Sequence, residues 1–101
     1  MEREIYRFEF SETVPLERVE ETLCLSALAA EGVYGRSHLR LNAAFRLDKT
    51  KRTCTVDAGT EVGETLARIL TGLLTEEFGE EAYRVERVVQ SIESQPGKGE
   101  A

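Results

Sequence analysis

The sequence repeats itself once. Val19-Glu20-Glu21-Thr22-Leu23 returns as Val62-Gly63-Glu64-Thr65-Leu66, and each copy opens a long apolar-periodic segment that closes on an aromatic-glycine pair, Tyr34-Gly35 or Phe78-Gly79. After three intervening residues come Leu39-Arg40-Leu41 and Tyr83-Arg84-Val85. The copies lie 43 or 44 residues apart in a chain of 101. That spacing predicts two βαβ halves about a pseudo-twofold, because one such unit cannot bury its own apolar face.

Alternation predicts a first strand over 3–10, with Tyr6, Phe8 and Phe10 on one face and Arg3, Ile5, Arg7 and Glu9 on the other. Pro15 suits the first position of a helix, and the stripe Leu16, Val19, Leu23, Ala27, Ala30 and Tyr34, flanked by Leu28, carries that helix to about Glu31, with Gly32 or Gly35 as its stop. Leu39, Leu41, Ala43, Phe45 and Leu47 alternate with His38, Arg40, Asn42, Ala44 and Arg46, the longest period-two run in the chain, and predict a second strand. A turn at 48–51 returns the chain as a third strand over 52–58 with Cys54, Val56 and Ala58 inward.

Thr60 is placed to cap a second helix, whose stripe Val62, Leu66, Ile69, Leu70, Leu73 and Phe78 ends at Gly79. Gly63, Ala67 and Thr71 form a small-residue row that, with Ser26, Ala29 and Ala30, is expected to let the two helices lie close together. The last strand, over 83–92, starts with Tyr83 and Val85 inward but loses its alternation at Arg87, Val88 and Val89, which suggests a bulge or a two-sided edge. Residues 1–93 thus read as one α+β domain, and 94–101 as a disordered tail. The order βαββαβ resembles the ferredoxin-like plait, a four-stranded antiparallel sheet with both helices on one face. That resemblance is one of topology and implies no activity.

The net charge of -6 counts against broad nucleic-acid affinity. It is unevenly spread, since the predicted strands and hairpin hold ten basic and six acidic residues and the rest of the chain three basic and thirteen acidic. With only Cys24 and Cys54, no paired-cysteine motif and no secretory leader pattern, a cytoplasmic protein with reduced, buried thiols is expected. The longest apolar run, 23–30, is far short of the roughly 20 residues that cross a bilayer.

Chemistry-bearing motifs are missing where plaits usually carry them. The loop Ser11-Glu12-Thr13-Val14 has neither the Cys-x-x-Cys of metal-carrying plaits nor a glycine-rich phosphate cradle, so no cofactor, metal or catalytic group is expected. Gly59-Thr60 reads as a helix cap and the glutamate pairs as solvated helix faces. What remains is the sheet face turned away from the helices, where Arg3, Arg7, His38, Arg40, Arg46 and Arg84 are the candidate binding residues, with His38 in reach of Glu9 or Glu86. The expectation is a non-catalytic interaction or assembly module using this face or the second strand as an edge, with a second copy or another protein as partner. Nucleic-acid or other polyanion binding is disfavoured because no aromatic is available there for stacking, and a small-ligand regulatory domain is the further alternative.

Overall fold

The computed structural model describes residues 2–42 and 44–91. Strand β1 (Glu2–Phe10), helix α1 (Leu16–Tyr34), helix α2 (Arg36–Asn42), strands β2 (Phe45–Asp48) and β3 (Thr53–Asp57), helix α3 (Glu61–Phe78), a 3-10 turn (Glu80–Ala82) and strand β4 (Tyr83–Ser91) follow one another. The sheet is antiparallel in the order β2-β3-β1-β4. This is the ferredoxin-like plait. The proposed tail lies outside the described residues.

β1 is central, and its even-numbered side chains build the core. Phe8 is fully buried and Phe10 nearly so; across the ladder Phe8 faces Cys54 on one side and Val85 on the other. Val19, Leu23 and Ala30 of α1 and Leu66, Leu70 and Leu74 of α3 close over them. The two helices run antiparallel, since Tyr34 hydroxyl meets Thr65 Oγ1 at 2.8 Å at one end while Arg18 pairs with Glu77 and sits 6.0 Å from the Phe78 ring centroid at the other.

Both long helices end as the repeat predicts. Gly35 (φ 91°) and Gly79 (φ 88°) occupy a backbone region that side chains avoid, and their N–H groups donate to Glu31 O and Thr75 O. Gly32 stays inside α1, and Pro15 takes the capping position one residue before the helix. Thr60 caps α3 as expected, its Oγ1 accepting from Gly63 N at 3.0 Å.

The predicted small-residue row is met in part: α1 and α3 pack side by side with Ser26, Ala30 and Ala67 buried. A Cβ on Gly63 would lie 1.9 Å from Asp57 O, so this glycine fits α3 against the end of β3. Ala67 and Thr71 line a cleft with Tyr6 and Val85 on the strand side, and Ala29 is exposed.

The largest departure is at 36–42, where a helix replaces the expected strand. Register explains it: Phe45 faces Val56, so residues before 43 would need partners beyond Ala58, where the chain already turns into α3. With no ladder, Arg36 to Asn42, which lacks β-branched and aromatic residues, takes the local alternative, and Leu39 N donates to Gly35 O at 3.0 Å. His38 and Arg40 are therefore on α2. In β4 the register with β1 is unbroken from Ser91 to Tyr83, so there is no bulge; the strand is two-sided, with Val88 on the open face and Arg87 on the helix face, where it pairs with Glu4.

Asp48 Oδ1 accepts from Thr50 N and Lys51 N, both at 3.1 Å, and Arg52 closes the hairpin at φ 56°. The Arg52 guanidinium donates to Ser11 O at 2.7 Å and to Val14 O, tying the hairpin to the β1–α1 loop.

Gly63→Ala is expected to destabilise the fold by about 2 kcal/mol, because the clash with Asp57 outweighs the better helix propensity of alanine. Gly72→Ala, also in α3 but with nothing within 4 Å, is expected to stabilise it by about 0.5 kcal/mol. Urea unfolding of the two variants reads both signs.

Candidate docking surfaces

By register the open face carries Ile5, Arg7 and Glu9 of β1, Thr53, Thr55 and Asp57 of β3, Arg46 and Asp48 of β2, and Arg84, Glu86 and Val88 of β4. Of the six residues expected there, Arg7, Arg46 and Arg84 are brought together. Arg3 holds the matching register position opposite Gln90. His38 and Arg40 are removed from the sheet with α2.

The face is less cationic than its arginines suggest. Arg7 lies 3.2 Å from both Glu9 and Glu86, and Asp48 and Asp57 add two more carboxylates. Arg46 and Arg84 have no ion-pair partner among the described residues. A shallow cleft of about 440 Å³ runs over Arg7, Arg46, Lys51, Thr53 and Thr55, with Glu9 and Asp48 in the same wall. Cations and carboxylates thus share the face, and the exposed pairs that Arg7 makes contribute only about 0–1 kcal/mol each.

A second surface lies on the helix side of β2. α1 offers Leu23, Cys24, Ala27 and Leu28, and β2 offers Phe45 and Leu47, on the two sides of a groove of about 510 Å³. Leu39 of α2 completes it, so the unforeseen helix supplies one of its walls. Leu28 is 63% and Phe45 41% exposed. Glu20, Glu31 and Arg46 form a polar rim. β2 is also an end strand: Asp57 N donates inward to Ala44 O, so by ladder alternation the N–H and C=O of Phe45 and Leu47 point outward along an unpaired rim. The edge was legible in sequence. The groove was not, although Leu28, set beside the main helical stripe, was its one visible trace.

No family model matches the chain, and neither a curated protein nor a solved structure matches it significantly. Among the described residues no cluster of three or more histidine, cysteine or acidic side chains is arranged to hold a metal ion, and no helix is long and apolar enough to cross a membrane. Both cysteines are free; Cys54 is buried, while Cys24, expected inside, is exposed at the groove because it falls off the buried face of α1.

Burial pushes the Cys54 thiol from an ordinary 9.0 up to about 12. The unfolded chain therefore loses this proton first, so stability attributable to this group is intact below about pH 9 and declines as pH rises from there toward about 12. Thiol titration of the native protein at pH 8 is expected to label Cys24 rapidly and Cys54 only on unfolding, and Cys24→Ser is expected to abolish the rapid phase.

Proposed function

We propose that this domain is a non-catalytic interaction or assembly module that docks a protein partner along the rim of β2 and the adjoining groove. One observation carries the reading: an unpaired strand edge and a mainly apolar groove with Leu28 and Phe45 exposed lie side by side. Strand addition supplies main-chain hydrogen bonds at such an edge, and the groove supplies apolar burial beside them. The free thiols of Cys24 and Cys54 fit a reducing, cytoplasmic setting. Polyanion binding through the arginine face is the weaker reading, because Arg7 is already held by two carboxylates and Arg40 has left the sheet.

Leu28→Lys and Phe45→Lys change exposed side chains and are expected to leave the melting temperature within a few degrees of wild type while abolishing association. Sedimentation velocity and mass-spectrometric identification of proteins retained by the immobilised chain read self-association and partner binding respectively. A wild-type chain that is monomeric and retains nothing in a Leu28- or Phe45-dependent manner would remove the proposal. In fluorescence anisotropy at low salt a single-stranded oligonucleotide is expected not to bind. Binding that weakened steeply with salt and was lost in Arg46→Glu would favour the arginine face instead.

A further inference from the structure

The geometry points to a second copy of this chain as the occupant of the β2 rim, joined so that the two sheets become one continuous antiparallel sheet of eight strands with Leu47 on the twofold. This inference rests on the reading of that rim and groove as a docking surface.

Charge and register choose the occupant and its alignment. Only Phe45 and Leu47 of β2 turn their backbone polar groups outward, so self-pairing of this strand has three registers, with the twofold at Phe45, Arg46 or Leu47. At Arg46 two guanidinium groups would face each other, which is repulsive. At Phe45, Arg46 would face Ala44 and Asp48 would be left without an opposing residue in the strand. At Leu47, Arg46 of each copy stands opposite Asp48 of the other, so two complementary pairs form on the open face.

Those pairs occupy non-hydrogen-bonded positions of the new ladder, where backbones approach to about 4.5 Å between Cα atoms and side chains meet closely. Arg46 has no ion-pair partner within its own copy among the described residues. Asp48 uses Oδ1 to cap its turn and makes no ion pair among the described residues. On the helix side the same twofold sets Leu47 against Leu47, places Phe45 opposite Lys49 of the other copy, and turns the two grooves, with Leu28 of each, toward each other.

The other sheet edge is not equivalent. Arg87, paired with Glu4, projects on the helix side of β4 between Val85 and Val89, and an inward-facing charge is a known guard against edge pairing.

Sedimentation equilibrium of the full chain at about 100 μM is expected to show a dimer. Leu28→Glu should return it to monomer, and Arg46→Glu should weaken it about tenfold, because two like-charge contacts replace two ion pairs. Mixing Arg46→Glu with Asp48→Lys chains is expected to restore a heterodimer. Asp48→Asn, which keeps the turn-capping oxygen, should weaken the dimer about threefold and reduce its sensitivity to salt. Melting curves check that each variant is folded.

A monomer at about 0.5 mM would overturn the inference. So would a dimer indifferent to both Leu28→Glu and Arg46→Glu, or one that Asp48→Asn leaves unchanged in affinity and salt dependence. If the wild type is monomeric while another protein binds in a Leu28-dependent manner, the second-copy inference falls and the docking surface stands. If nothing binds there, both fall.

Discussion

The approach of α3 to the end of β3 governs the shape of the rest. Gly63 leaves no room for a side chain above Asp57 O, and Thr60 caps the helix three residues earlier, so the chain leaves the sheet after Ala58, whose N–H still donates to Glu4 O. A five-residue β3 limits the ladder it offers to β2. With no further partner, the chain between Gly35 and β2 satisfies its backbone locally as α2. The short edge strand and the groove beside it are downstream consequences of one close backbone contact.

The elements that sequence reading recovers best are those whose signal is local and repeated. The even parity of Tyr6, Phe8 and Phe10, the α1 stripe, the Thr60 cap and the two glycine stops all depend on residues within one or two turns of each other, and each is found in the structure. The run 38–47 misleads because period-two alternation measures amphipathicity without asking whether a neighbouring strand exists to be paired. That neighbour's length is decided by Gly63, twenty residues on. Arg52 was equally invisible, since its role as the tie between hairpin and loop depends on the Ser11 and Val14 carbonyls some 38 to 41 positions away. Of the candidate binding residues, Arg7, Arg46 and Arg84 lie on the open face to which parity assigned them. His38 and Arg40 share the error of the strand they were assigned to.

The charge layout also reads differently once the ladder is known. A surplus of arginine in the strand segments suggests a cationic face, yet cross-strand pairing sets Arg7 beside Glu86 and within reach of Glu9 on its own strand. Ladder neighbours compensate charge that composition counts as excess. What survives is not a field but a pattern, in which Arg46 and Asp48 are two residues apart on a four-residue edge strand. A uniform positive face attracts any anion, whereas an alternating edge selects a partner with the opposite alternation, and a strand read antiparallel to itself is one such partner.

The two halves of the chain leave their helices by the same glycine geometry and then diverge. After Gly79 a 3-10 turn leads straight into nine residues of β4, which pair along the whole of β1. After Gly35 the chain spends seven residues in α2 and has only four left for β2. Both strands lie at sheet edges, but the long one carries Arg87 on its helix face and the short one carries Phe45 and Leu47 there. A long edge without a charged guard would invite indiscriminate pairing, so length and protection go together on β4. A four-residue edge offers too few hydrogen bonds to bind any strand by backbone alone, and that same shortness makes association depend on side chains. On the proposed reading, selectivity at β2 comes from what the groove and the Arg46–Asp48 alternation accept.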